Sequence, residues 1–205
     1  MARKISGRSD QLRAAIAQEA ARIMEEHGIQ DFFTAKNKAA ERFAMYDAAV
    51  LPKNSEIEAA LVARQRLFGG EQHDQTLAVQ RRVALAAMQM LAKFEPRLVG
   101  AVLSGSATEH ADIQLHLFSD SAETVFFELM DRRIAYEVIE RRVKMNADRQ
   151  VGVPGATFMI DRTTIEALVF PTDGIRQAPV SPVDGRPMRR ASVTEVSQLT
   201  ADAKR

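Results

Sequence analysis

The stretch Val99-Gly100-Ala101-Val102-Leu103-Ser104-Gly105-Ser106-Ala107-Thr108-Glu109-His110-Ala111-Asp112-Ile113-Gln114-Leu115 sets a glycine-bearing turn ahead of an apolar strand whose alternate positions begin with a carboxylate. Successive strand residues point to opposite faces, so Asp112, Gln114 and His116 share one face while Ile113, Leu115 and Leu117 take the other. Two readings follow. A glycine turn running into a buried strand accounts for the glycines. The carboxylate at the head of the strand points instead to a phosphate- and metal-binding site that has lost some of its groups.

Laid without a gap on the pattern F-G-S-R-A-R-G-T-A-x-x-x-S-D-I-D-L, the stretch resembles the opening motif of the nucleotidyltransferase superfamily, the polymerase beta-like fold. Both glycines, Gly100 and Gly105, and the first aspartate, Asp112, match; Ala101 stands where the family has serine and Gln114 where it has the second aspartate. The resemblance implies Mg-dependent transfer of a nucleotide, with carboxylates on one strand face holding paired ions that stabilise the attacking and leaving oxygens. Gln114 offers a carbonyl oxygen but no charge, which weakens such a site. Ala101 removes a hydroxyl, leaving backbone N–H groups of the turn to meet phosphate.

The family also implies a third carboxylate on a neighbouring strand within an acidic-then-apolar run. Ile165-Glu166-Ala167-Leu168-Val169-Phe170 fits, making Glu166 the candidate ligand, with Asp161 in the expected hairpin Asp161-Arg162-Thr163-Thr164 as its competitor. An exposed carboxylate on an edge strand explains Glu166 equally well. The candidate set is therefore Asp112 and Glu166 as catalytic and metal-holding groups, with Gly100, Ala101, Gly105, Ser106 and Gln114 around the nucleotide.

The chain has 205 residues, 46% of them hydrophobic, enough for a substantial core with a helical appendage. Its 28 basic and 27 acidic residues give a net charge of +1, so bulk charge favours neither nucleic acid nor a membrane surface. The absence of cysteine excludes disulfides, thiolate metal sites and cysteine nucleophiles. The start, Met1-Ala2-Arg3-Lys4-Ile5-Ser6-Gly7-Arg8, lacks the apolar run of a signal peptide, and no stretch reaches membrane-spanning length. A cytoplasmic location is the expectation.

Apolar periodicity predicts four helices in the first half. The first is capped by Asp10 and stopped by Gly28, with Leu12, Ile16, Ala20, Ile23 and Met24 on one face; the second covers Lys36 to Met45. The third starts at a capping box in Ser55-Glu56-Ile57-Glu58 and ends at Gly69-Gly70. The fourth runs from about Thr76 to Phe94 before Pro96. Beyond Pro96 the period becomes that of a sheet. Strands are expected at Leu98 to Leu103, Asp112 to Phe118, Ile134 to Val143, Ala156 to Ile160 and Thr164 to Phe170, with a helix from Asp120 through Met130. The fold class is α+β: a helical region over 1–95, a nucleotidyltransferase-like domain with a mixed sheet and flanking helices over 96–171, and a Pro/Gly-rich tail over 172–205 with a short helix from Ser192 to Lys204.

Other chemistry is thinner. His110, Asp112 and His116 form an alternative metal set by ligand type, although no zinc spacing matches, and His116 is also placed to contact a phosphate or base. Arginine pairs at 81–82, 132–133, 141–142 and 189–190 read as solvated faces beside acids such as Glu128, Asp131 and Glu140, or as a grip on a triphosphate or RNA backbone. Arg189-Arg190-Ala191-Ser192 has the order of a basophilic kinase site. The expected function is nucleotide binding with transfer weak or lost. The alternatives are an active Mg-dependent transferase in which Gln114 serves as second ligand, and a protein- or RNA-binding module built on the helical half.

Overall fold

Apolar residues three and four apart build the first half of the chain, whose structure, a computed structural model, describes residues 2–45, 47 and 50–202. The chain forms two compact units. The first takes in residues 1–73 with the short segments 108–110 and 182–184. Its helix α1 (Ala2–His27) begins ahead of the expected cap, so Asp10 lies within the helix and pairs with Arg13 at 3.6 Å. Ile16, Ala20, Ile23 and Met24 are buried as the periodicity requires. Helix α2 (Phe32–Arg42) starts four residues earlier than expected because the Asp31 carboxylate accepts from the Thr34 backbone N–H at 2.7 Å, a stronger start signal than the apolar spacing. Helix α3 (Asn54–Arg64) starts at Lys53, whose backbone N–H donates to Glu56 at 2.6 Å; this half of a capping box lies two residues before the Ser55/Glu58 pair. A π-helical turn, Gln65–Gly69, follows.

The second unit begins at Asp74, within helix α4 (Gly70–Met90). This helix therefore belongs with the sheet and not with the helical region expected over 1–95. Leu77, Val83, Ala84, Ala87 and Met88 are the reason, since they bury against sheet residues. Then come β1 (Arg97–Val99), α5 (Gly100–Ser104), β2 (Ile113–Phe118), α6 (Ala122–Asp131), β3 (Tyr136–Lys144), β4 (Gln150–Ile160), β5 (Thr163–Phe170), a 3-10 turn at Thr172–Arg176, and α7 (Val193–Asp202). The strands form one mixed sheet in the order β1-β2-β5-β4-β3, with β2 and β5 parallel and every other neighbouring pair antiparallel. The α+β class holds.

One sheet face carries Leu98, Ile113, Leu115, Leu117, Ile165, Ala167, Val169, Ala156 and Phe158 into the main core, against α4, Val125 and Leu129 of α6 and Val196 of α7. The opposite face carries a smaller apolar patch of Phe118, Val153, Leu168 and Phe170, with polar residues beyond it. Strand β4 starts six residues before the expected Ala156, through Gly152 and Pro154. Proline is accommodated because β5 pairs with β4 only from Gly155 onward, so the missing N–H falls where no strand lies alongside. The turn joining β4 to β5 is the expected hairpin, with Asp161 and Arg162 at φ of +47° and +65°. The segment expected to be a loose tail is tied to the sheet: Ala191 is fully buried and exchanges backbone hydrogen bonds with Leu98 at 2.9 Å. Lys204, the expected end of the last helix, lies outside the described residues. Among the described residues no helix is long and apolar enough to cross a membrane.

Candidate functional site

The strand expected over Leu98 to Leu103 stops at Val99, because Gly100 turns the chain at φ +71° and residues 100 to 104 close into a helical turn. Val102 and Leu103 are both buried, which is why this run reads equally as a strand. Gly100 has a second reason to be glycine. A Cβ there would collide with the amide oxygen of Gln114, which lies across the turn. Gly105, at φ +91°, ends the helical turn, and its N–H donates to the Ala101 carbonyl at 2.8 Å. That donor is thereby spent within the turn. Ser106 is buried, its hydroxyl 2.9 Å from that of Ser104. Arg81 of α4 flanks this end: its Nε donates to the Val102 carbonyl at 3.2 Å, and its Nη2 would lie 3.7 Å from a Cβ at Gly105. Burial first, and then the charge of Arg189, lower the Arg81 pKa from its ordinary value.

Across the sheet, Gln114 on β2 stands directly opposite Glu166 on β5, so the two share a face. Glu166 in turn is held by Arg141, which reaches from β3 and donates to the Glu166 Oε2 atom from Nε at 2.9 Å and Nη2 at 2.6 Å. The Glu166 side chain is 16% exposed and that of Arg141 is 51% exposed, so the pair sits at the surface with the guanidinium outermost. These hydrogen bonds hold the Arg141 pKa above its ordinary value against partial burial, and the charge of Asp112 adds to them. Asp112, immediately before β2, is half-buried and is thus felt by the same cation as Glu166. The structure therefore sets Gly100 against Gln114, Gln114 opposite Glu166, and Arg141 on Glu166 within the field of Asp112. Asp161, the competitor of Glu166, lies in the hairpin turn outside the strand ladder.

The His110, Asp112 and His116 set does not form. His116 is 3% exposed, and its Nδ1 accepts from Arg190 Nε at 3.0 Å, which removes it from any ligand. Burial, and then the Arg190 charge, push its pKa down to about 3, so the ring is neutral. Arg190 lies over the neighbouring rings of Phe118 and Phe170, 5.0 and 5.1 Å from their centroids, and also donates to the carbonyls of Gly174 and Ile175 at 2.8 and 3.3 Å. The arginine pairs thus divide. Arg132 pairs with Glu128 at 2.5 Å as a solvated face would, whereas Arg190 is committed to the interior side of its loop and Arg141 to Glu166. The kinase-like run is likewise taken up by the fold. The Ser192 hydroxyl donates to Glu195 at 2.8 Å in a capping box at the start of α7.

Among the described residues there is no group of three or more His, Cys, Asp or Glu side chains placed to hold a metal ion. A glutamine, an ion-paired glutamate and a single further aspartate do not fit the ligand set that the family resemblance implies for magnesium. No family model matches the chain, and no curated protein or solved structure matches it.

Proposed function

We propose that this protein is nucleotidyltransferase-like: it binds a nucleoside triphosphate or a related nucleotide, and transfer is weak or lost. The observation that carries this reading is the grouping of Gln114 and Glu166, paired across β2 and β5, with Gly100 beneath the Gln114 amide and Arg141 on Glu166. The order of strand, left-handed glycine, short helical turn and carboxylate-led strand supports the assignment of that end of the sheet to phosphate. Arg81 beside Gly105 and Arg141 beside Glu166 supply cations suited to a polyphosphate. Loss of transfer follows from charge. Stabilising both oxygens of a displacement needs more positive charge at the reacting phosphate than ground-state binding does, and the carboxylates present suit two metal ions poorly.

Calorimetric titration with ATP, GTP, CTP and UTP, with and without magnesium, tests the binding. Incubation of alpha-labelled triphosphates with magnesium or manganese and with RNA, protein and small-molecule fractions tests the transfer. Saturable binding without label transfer is expected. Label transfer abolished by Asp112→Asn would establish an active enzyme with Gln114 as a working ligand, and absence of binding for all four nucleotides would remove the reading altogether.

A further inference from the structure

We propose that Arg141 is the resident cation of this site, standing in for a divalent metal, so that the pocket takes its nucleotide polyphosphate without one. The inference rests on the nucleotide reading above for its ligand, but its physical basis is that Glu166 already holds a cation in the guanidinium of Arg141, and that Gln114 adds no charge to draw a second. A divalent ion brought to this cluster meets a guanidinium already bonded to Glu166 Oε2 through two N–H groups. Planar N–H donors matched to an oxyanion serve phosphate as well as carboxylate, so a half-exposed guanidinium fixed by Glu166 on one side is presented to a phosphate on the other. Glu166 is on this view a positioning residue for Arg141. Its carboxylate aims the guanidinium and prevents it from lying elsewhere on the sheet.

ATP titration in EDTA and in magnesium reads the ligand side. Wild-type affinity is expected to be the same in both, and Arg141→Met, which keeps length but not charge, is expected to weaken binding in EDTA by about tenfold, with Arg141→Lys recovering part of the loss. Manganese titration followed by electron paramagnetic resonance, without nucleotide, reads the cation side independently. Wild type is expected to give no protein-bound manganese signal, and the double variant Gln114→Asp with Arg141→Met to gain one that Asp112→Asn removes. Wild-type ATP binding abolished by EDTA, or a wild-type manganese site lost in Asp112→Asn, would overturn the proposal. Should no nucleotide bind under any condition, the nucleotide reading fails by itself. The manganese measurement then still decides whether Arg141 holds the cation position: a site gained only in the double variant supports it, and none gained overturns it.

Discussion

Two arginines face the same side of one sheet, and they do opposite things. Arg141, at the end of the face marked by Gln114 and Glu166, is half exposed and bonded to a carboxylate. Arg190, at the end marked by His116, Phe118 and Phe170, is bonded to a neutral imidazole and two carbonyls and lies over two neighbouring aromatic rings, and its Nη2 is a buried donor with no partner among the described residues. Burial, and then the nearby Arg97, lower the Arg190 pKa to about 10, which still leaves it charged at neutral pH. The contrast shows that the surroundings of a guanidinium decide its work. Placed against rings and carbonyls it fastens a loop; placed on a carboxylate at the surface it keeps about half of its side chain open to solvent.

Breaking the buried end should cost most. Arg190→Ala removes a charged hydrogen bond to His116, contacts to Gly174 and Ile175, and two cation–π contacts, and it strands the imidazole nitrogen without a donor. With charged hydrogen bonds contributing about 1.5–3 kcal/mol each and cation–π contacts about 1 kcal/mol, not additively, a loss of about 3–4 kcal/mol is expected. Urea unfolding measures it. A loss below about 1 kcal/mol would mean that the segment over 172–190 is held by its backbone bonds alone.

His116 makes the same end sensitive to acid. Its pKa falls from 6.5 in an exposed chain to about 3 in the fold. The unfolded chain therefore takes up a proton that the folded chain refuses. The stability contribution is complete above pH 6.5 and is lost as pH falls towards 3, at about 1.4 kcal/mol per unit, or about 3 kcal/mol by pH 4. His116→Asn keeps an acceptor near the Nδ1 position without the titration, so its stability profile between pH 7 and 4 should be flatter by about that amount. Parallel profiles for the two proteins would show that His116 is reached by protons in the folded state.

At the polar end the costs are smaller. Gly100→Ala forces a left-handed conformation on alanine, about 1–2 kcal/mol, and drives its methyl into the Gln114 amide. About 2 kcal/mol is expected in total. Combining it with Gln114→Ala should recover the part due to collision, leaving only the backbone cost. Strict additivity of the two substitutions in a double-mutant cycle would place the Gln114 side chain away from the turn.

What the sequence made legible, and what it hid, follows the same geometry. Apolar residues located β2 and β5, which bury most of their length, whereas β3 is a strand with no fully buried residue; strand parity set Gln114 with Asp112, the acidic-then-apolar run offered Glu166, and the register of β2 on β5 puts Glu166 opposite Gln114. The five-residue α5 was hidden because its apolar residues Val102 and Leu103 bury in any conformation, and only the two positive φ angles at its ends reveal a turn. The start of α2 was written in Asp31 and Thr34, and the start of α7 in Ser192 and Glu195; both are capping signals that outweigh apolar spacing. Arg141 was marked only as one of four arginine pairs, with nothing local to tell it from the other three. It lies 25 positions from Glu166 along the chain, and only the strand order β5-β4-β3 brings the two together.

The smallest expected effect concerns that pair. Arg141→Ala removes a surface ion pair, and exposed pairs contribute about 0–1 kcal/mol, since water screens the charges and two long side chains must be ordered. Unfolding of Arg141→Ala should therefore differ from wild type by less than about 1 kcal/mol, against about 3–4 kcal/mol for Arg190→Ala, although both delete a guanidinium from the same sheet face. This small cost is what gives the comparison its functional meaning. A small loss is what the proposed ligand role of Arg141 requires, whereas a large loss of stability in Arg141→Ala would make it a structural clasp like Arg190 and leave the polar end without a residue poised for a ligand.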